Sequence, residues 1–340
     1  MKINLSTQHF SLPLKFPLKT AHKVYSYREG LIVKIEHNKV IGYGEAAPLP
    51  GFSTESIKES AYAIEGFNCV LEGENRSPED LLDEINLHLG DSPAAHFGIE
   101  TALLDLLSRE KNIPLSEYLN PNFQSRIEVN GIEGLHSADD QFVSIKVKVG
   151  FRNLWEEIDN LEKLTIEFGE TIKFRLDVNG AFDLPRAIRF CKEVEKFNID
   201  YIEQPLPADE LEDISELRNH TQIPIAVDES LTNLASAEQL IEAQSADVFI
   251  IKPTISGGFA NCKDIIGLAR ENKIRPVITS TLETAVGISA CLHMAAANEI
   301  NEPCGLTTGD LFEAGLSTPI VIKGGAIEIG QAPGLGIELL

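Results

Sequence analysis

Asp177, Glu203 and Asp228 each stand near the end of a short apolar run, in "IKFRLDVNG" (172–180), "IDYIEQPL" (199–206) and "IPIAVDES" (223–230). Lys252 ends a fourth run, "DVFIIKPT" (247–254). The steps between these four residues are 26, 25 and 24. Each step has room for one strand, one helix and two short connections, so the four side chains fall on successive βα units at one level. The run before them, "FVSIKVKVG" (142–150), carries Lys146 and Lys148, which share a strand face because alternate residues point the same way. Further runs are "RIEVNGI" (126–132), "RPVITSTLE" (275–283) and the weaker "CGLTTG" (304–309). Between them lie segments with helical apolar spacing, such as "NLWEEIDNLEKLTIEFG", where the single Trp155 is expected to pack. Seven or eight successive units predict a closed parallel barrel, and no G-x-G-x-x-G or Walker motif argues for an open sheet.

Active sites of such barrels lie at the C-terminal ends of the strands. There the chain places Lys146 and Lys148, then Arg175, Asp177 and Asn179, then Glu203, Asp228 with Glu229, Lys252, and finally Ser280, Thr281 and Glu283. A single strand-end aspartate is most often a cap, and two lysines alone fit a solvated face. Polar residues in phase on five successive strands do not fit that reading. Three converging carboxylates require a compensating cation. Oxygen ligands without His or Cys point to Mg²⁺, with Mn²⁺ as a substitute. No histidine pair has zinc-site spacing, and the Gly-rich "ISGGF" and "GLGIEL" read as turns rather than phosphate loops.

Ahead of the barrel, "LIVKIEHNKVIGYGEAAPL" reads as a hairpin turning at Asn38-Lys39. Two helices follow, with Ser53 and Ser77 as expected N-caps, and a connecting helix over 94–112. This divides the chain into an α+β unit over 1–93 and a barrel over 94–314, with the segment from about 315 to 340 expected to pack back on the first unit. The 340 residues carry a net charge of −23, which disfavours nucleic acid as a partner. Five scattered cysteines, no apolar leader and no long uncharged apolar stretch predict a cytoplasmic chain with reduced thiols and no membrane span. Oligomeric state is not legible in the sequence.

At these residues the chain resembles the enolase superfamily, in its muconate-lactonizing-enzyme-like branch. "KVKVG" is similar to the K-x-K signature, "LDVNG", "IEQPL" and "VDES" to the three metal strands, and "IKPT" to the second lysine strand. The resemblance implies an α/β fold, a modified TIM barrel (β/α)₇β with an N-terminal capping domain, acting on a small-molecule carboxylate. It implies Mg²⁺ on Asp177, Glu203 and Asp228, and Lys148 as the base that removes a proton α to a carboxylate. A base must be neutral, and a nearby Lys146 ammonium with partial desolvation would lower the pKa of Lys148. Lys252, on the opposite face, would stabilise the intermediate. Lys146 and Arg175 are expected substrate or supporting contacts, Asn179 and Glu229 are expected to orient ligands, and Ser280 and Thr281 to donate hydrogen bonds to the substrate. Loops near Phe16–Lys23 and Leu49–Ser53 are expected to close over the mouth. Branch members dehydrate, racemise or epimerise. The eighth-strand stretch "GLTTGDLF" offers only Asp310 where dipeptide epimerases of the branch usually carry D-x-D, which weighs against epimerisation.

Overall fold

The computed structural model describes residues 3–19, 24–71 and 76–340, so the expected loop at Phe16–Lys23 lies partly outside the described residues. The chain opens with an antiparallel sheet in the order β1 (Asn4–Lys19), β2 (Val24–His37), β3 (Val40–Ala46). The hairpin turns at Asn38 and Lys39, with φ of 51° and 69°, values that suit a tight two-residue connection. Helices α1 (Ile57–Leu71) and α2 (Pro78–Leu89) follow. Ser77 caps α2, and its hydroxyl accepts from the Asp80 amide at 3.2 Å. The cap of α1 is Ser56 rather than Ser53. Ser56 forms a reciprocal box with Glu59, whose carboxylate accepts from the Ser56 amide at 2.7 Å. The Ser53 hydroxyl instead accepts from the Leu49 amide at 2.8 Å and closes a turn.

Helix α3 (Pro93–Glu110) is buried continuously from Ala94 to Ser108, because it lies between the sheet and the barrel. Its close approach to β3 requires glycine: a Cβ on Gly44 would lie 1.9 Å from the Gly98 carbonyl oxygen. Asp105 on α3 accepts from the Tyr43 amide at 2.8 Å and the Leu335 amide at 2.7 Å, joining the sheet to the C-terminal segment. A short helix α4 (Leu115–Leu119) leads to the barrel.

The run 126–132 does not form one barrel strand. Its first half, β4 (Arg126–Glu128), joins a small antiparallel sheet of C-terminal strands, and β5 (Gly131–Ile132) pairs with the next strand of the barrel. Buried Ile127 and Val129 divide the run between two sheets. From β5 the parallel order proceeds through β6 (Ser144–Lys148), β7 (Lys173–Asp177), β8 (Ile199–Glu203), β9 (Ile225–Val227), β10 (Val248–Ile251) and β11 (Arg275–Ile278). The ring is closed by the eighth segment. Cys304 bridges Val129 and Gly305 bridges Thr279, both parallel, with the Cys304 amide donating to the Glu128 carbonyl at 2.7 Å.

The intervening helices are α5 (Leu154–Phe168), α6 (Leu184–Val194), α7 (Leu211–Asn219), α8 (Leu234–Glu242), α9 (Pro253–Ser256), α10 (Gly258–Glu271) and α11 (Ala285–Ala297). Trp155 does not pack. It is 73% exposed on the first turn of α5, which buries Ile158, Leu161 and Leu164 instead. Inside the barrel, Tyr201, Ala226, Val248, Ile250 and Val277 form their own apolar cluster, separate from the larger layer between strands and helices. The chain ends in β12 (Ile322–Lys323) and β13 (Ala326–Glu328); β13 pairs with β4, and Gly334 bridges Pro114 beside α4. Among the described residues no helix is long and apolar enough to cross a membrane. Cys191, Cys262, Cys291 and Cys304 are buried free thiols and Cys69 is an exposed one.

Candidate active site

Strand register brings the predicted residues together. Lys148 lies opposite Asp177, and Asp177 opposite Glu203, across β6, β7 and β8. Although both lysines sit on one strand face, their ammonium groups go to different partners. Lys146 Nζ donates to Glu203 Oε1 at 2.7 Å and lies 3.0 Å from Asp177 Oδ2. Lys148 Nζ donates to Asn179 Oδ1 at 3.1 Å. Burial pulls Lys146 down, but Asp177, Glu203 and Asp228 outweigh it and hold the ammonium well above its ordinary value. Lys146 is therefore held as an ammonium between the two carboxylates.

Asn179 is held in the left-handed region at φ 48°, where asparagine is tolerated better than most residues. Its Nδ2 donates to Glu229 Oε1 at 3.0 Å, which turns its carbonyl toward Lys148. Across the mouth, Lys252 Nζ contacts Asp228 Oδ2 at 2.5 Å and lies 4.9 Å from the centre of the Phe52 ring, supplied by the N-terminal unit. Burial lowers Lys252, and Asp228 with Glu229 more than restores it, so its pKa is raised overall.

Two polar contacts had no signal in the spacing. Gln204 stands just past the end of β8, in the left-handed region at φ 40°. Its Oε1 accepts from the Asp228 amide at 3.0 Å and its Nε2 donates to the Ser230 hydroxyl at 2.8 Å, fastening the end of β8 to the end of β9. Glu100, buried on α3, accepts from the Phe259 and Ala260 amides at the start of α10. The end of "ISGGF" thus receives a carboxylate of the chain itself, and Gly258 leaves room for it: a Cβ there would lie 2.0 Å from Glu100 Oε2.

Arg175 does not join the mouth. Two residues before Asp177 on the same face, it sits one layer deeper, about 6.6 Å down the strand. There its Nε donates to Asp200 Oδ2 at 2.9 Å, its Nη1 to the Pro303 carbonyl at 2.5 Å, and its guanidinium lies 4.8 Å from the centre of the Tyr201 ring. Nε and Nη1 are engaged inside the protein, Nη2 is buried without a hydrogen-bond partner and the side chain is fully buried. Of the two expected parts, substrate or supporting contact, the structure thus does not place Arg175 where a substrate contact at the mouth would need it. Ser280 bonds the Thr308 hydroxyl, and the Thr281 hydroxyl is buried with no partner. Neither touches the carboxylates. Asp310 lies 3.2 Å from His136 Nε2 at the rim.

Among the described residues no three His, Cys, Asp or Glu side chains enclose a common point as they stand; the Lys146 ammonium lies between Asp177 and Glu203. The donor chemistry nonetheless suits a hard divalent ion. Burial drives Glu203 up to about 8 in spite of Lys146, and Asp177 and Asp228 add to the rise. Glu229 is pushed to about 7, chiefly by burial and then by Asp228. Asp177 goes the other way: burial raises it, but Lys146 and Lys148 hold it below its ordinary value. A buried all-oxygen set in which one member resists ionisation is what a divalent cation stabilises.

Residues 133–340 match the enolase C-terminal domain-like family, and residues 4–106 match the MenC N-terminal domain. The chain belongs to the enolase superfamily and is an enzyme of that superfamily. Within it, the chain is 27% identical to the L-Ala-D/L-Glu epimerase of Bacillus subtilis (strain 168), over 98% of this chain and 96% of that protein. It is 26% identical to the o-succinylbenzoate synthase of the same organism, over 98% and 93%. Its fold superposes on the N-succinyl Arg/Lys racemase of Bacillus cereus ATCC 14579 with a TM-score of 0.90 at 25% identity, covering 100% of this chain and 96% of that one. The dipeptide epimerase of Enterococcus faecalis V583, solved with Mg and the dipeptide L-Leu-L-Tyr, gives a TM-score of 0.89 at 25% identity, covering 99% of each chain.

Proposed function

We propose that this chain is an o-succinylbenzoate synthase, a Mg²⁺-dependent lyase of menaquinone biosynthesis that works in the cytoplasm. It would convert 2-succinyl-6-hydroxy-2,4-cyclohexadiene-1-carboxylate to 2-succinylbenzoate and water. The observation that carries the chemistry is the pair of lysines on opposite walls of a mouth lined by three carboxylates: Lys148 on β6 and Lys252 after β10, around Asp177, Glu203 and Asp228. The choice of this substrate is supported by the match of residues 4–106 to the MenC N-terminal domain and by the stretches "GYGEAAPLPGFSTES", "IIKPTISGG" and "VITSTLETAVGI".

Mg²⁺, with Mn²⁺ as substitute, would be held by Asp177, Glu203 and Asp228 and would supply positive charge for the carboxylate that becomes doubly negative. Lys148 Nζ takes the α-proton. Loss of the ring hydroxyl then breaks the C–O bond, and the proton on Lys148 leaves with it as water while the ring becomes aromatic. One base serves both steps because both occur on its face. Lys252 remains an ammonium, held so by Asp228 and Glu229, and offsets the developing charge from the other wall. Asn179, turned by Glu229, aims Lys148. Lys146, fixed on Glu203 and Asp177, keeps these carboxylates at the mouth.

A second reading is racemisation of N-succinylamino acids. Its support is the same two lysines on opposite walls, each placed to exchange a proton with the α-carbon. Turnover of the cyclohexadiene carboxylate by the purified protein with Mg²⁺, followed by absorbance, tests the first reading. Fast formation of 2-succinylbenzoate, lost in Lys148→Ala and on chelation, is the expected result. No turnover by the intact protein sinks the synthase reading and leaves inversion of N-succinylamino acids as the activity to find.

A further inference from the structure

The N-terminal unit meets the barrel over a charged seam apart from the carboxylates and lysines of the mouth. At its centre is Arg28 of β2, which is 3% exposed. Its five N–H groups all point at backbone carbonyls. Nε donates to Leu282 at 2.9 Å, Nη1 to Pro48 and to Glu29 at 2.9 Å each, and Nη2 to Thr281 at 3.3 Å and to Ala47. Pro48 and Ala47 belong to one unit, Thr281 and Leu282 to the other. Leu282 is held at φ 61°, a backbone conformation a leucine adopts only when its surroundings impose it.

Two carboxylates flank the guanidinium. Glu45 of β3 accepts from the Thr284 amide at 2.9 Å and the Gly287 amide at 3.0 Å, and so caps α11. Glu283 accepts from the Thr281 amide and from the hydroxyl of Thr254, two residues beyond Lys252. From the carbonyls that Arg28 grips, one chain runs through the Leu49–Ser53 turn to Phe52, the ring beside Lys252. The other runs back into Thr281 and Ser280, just past the end of β11.

We infer that Arg28 is a positioning residue that sets the spacing between the capping segment 47–53 and the strand end 280–283, the two walls of the mouth remote from Lys148. A planar guanidinium spreads five donors over two chains; a lysine offers three donors from one atom and cannot span them. Loss of the clamp lets the walls part without moving the strands that carry Asp177, Glu203 and Lys148. This deepens the proposed function, since it assigns substrate fit to a residue that need not touch the substrate, and only its kinetic arm rests on that reading.

The test uses the full chain with Mg²⁺ in three forms: unmodified, Arg28→Met and Arg28→Lys. Amide hydrogen exchange, which needs no substrate, should quicken about tenfold or more in segments 47–53 and 280–284 together, with 172–180 and 199–206 unchanged. With the cyclohexadiene carboxylate, KM should rise about tenfold while kcat stays within about threefold. The Lys variant should resemble Met, because charge alone does not make the clamp. Quickened exchange in one segment only, in neither, or across the whole chain overturns the proposal, as does failure of both variants to fold. An intact protein that never turns over would count against the synthase reading alone, and the exchange result would still decide this one.

Discussion

The mouth and the floor of the barrel both bury charge, in opposite ways. On the floor, Asp200 faces two arginines: Arg175 at 2.9 Å and Arg275 at 3.0 Å. Burial raises its pKa, but the arginines outweigh burial and hold it below its ordinary value. At the mouth, Glu203 has Lys146 at 2.7 Å but also Asp177 and Asp228 as neighbours, and burial leaves it at about 8. Glu229 Oε2 there is buried without a hydrogen-bond partner; on the floor Arg175 is gripped by Asp200 and Pro303, and its Nη2, which makes no hydrogen bond, lies 3.8 Å from the Glu302 carboxylate. A buried charge matched inside the protein serves the fold. Carboxylates in excess of their cations serve a ligand that brings charge with it.

The largest expected effect lies at the mouth. Lys148→Ala should lower turnover by about 10³-fold or more while leaving the melting temperature nearly unchanged, since among the described residues the Lys148 ammonium hydrogen-bonds Asn179 alone and the side chain is exposed. Equal loss in stability and activity would erase the contrast with the floor. Next is Asp200→Ala, which leaves two arginines facing an unpaired site and should cost about 3–5 kcal/mol in chemical denaturation. Full stability in that variant would mean that the floor is not self-matched.

The floor also has a pH signature. A carboxylate whose folded pKa lies below its unfolded value adds stability that is complete above the unfolded value and fades as pH falls through the folded one. The stability gap between the intact protein and Asp200→Asn should thus hold at neutral pH and shrink only below about 3.8, the ordinary aspartate value. Glu100 has the opposite sign. Burial raises it to about 7 although it accepts two backbone amides, so its ionisation weakens the fold as pH rises from 4.5 to 7. The melting temperature of Glu100→Gln minus that of the intact protein should therefore climb over that window, and a flat difference would contradict the assignment. The smallest effect is at the surface: Ser56→Ala should cost about 1 kcal/mol through the lost cap, and Ser53→Ala should leave the start of α1 intact.

The barrel and its mouth were legible in the sequence for one physical reason. Buried parallel strands are apolar runs, and a two-residue period fixes which polar side chains at their ends face inward. Asp177, Glu203, Asp228, Lys148 and Lys252 follow from that rule, and so does the shared face of Lys146 and Lys148. The same rule places Arg175 on that face but carries no depth, so its layer was misjudged. Ser53 and Ser56 both precede a helical pattern, and only Ser56 has Glu59 three residues on.

Arg28, Glu45, Gln204 and Glu100 were not legible as site supports, because each is tied to at least one backbone group more than twenty positions away. Arg28 and the Leu282 carbonyl it holds are 254 positions apart. No local period records such a bond. Trp155 shows the reverse error, a large apolar residue given a core role that its place on the first turn of α5 denies it.

Calorimetric titration of Mg²⁺ into the intact protein, Glu203→Gln and Asp200→Asn tests the central contrast most directly. One strong site is expected in the intact protein, kept in Asp200→Asn and lost in Glu203→Gln. Equal binding in all three, or none in the intact protein, would contradict it.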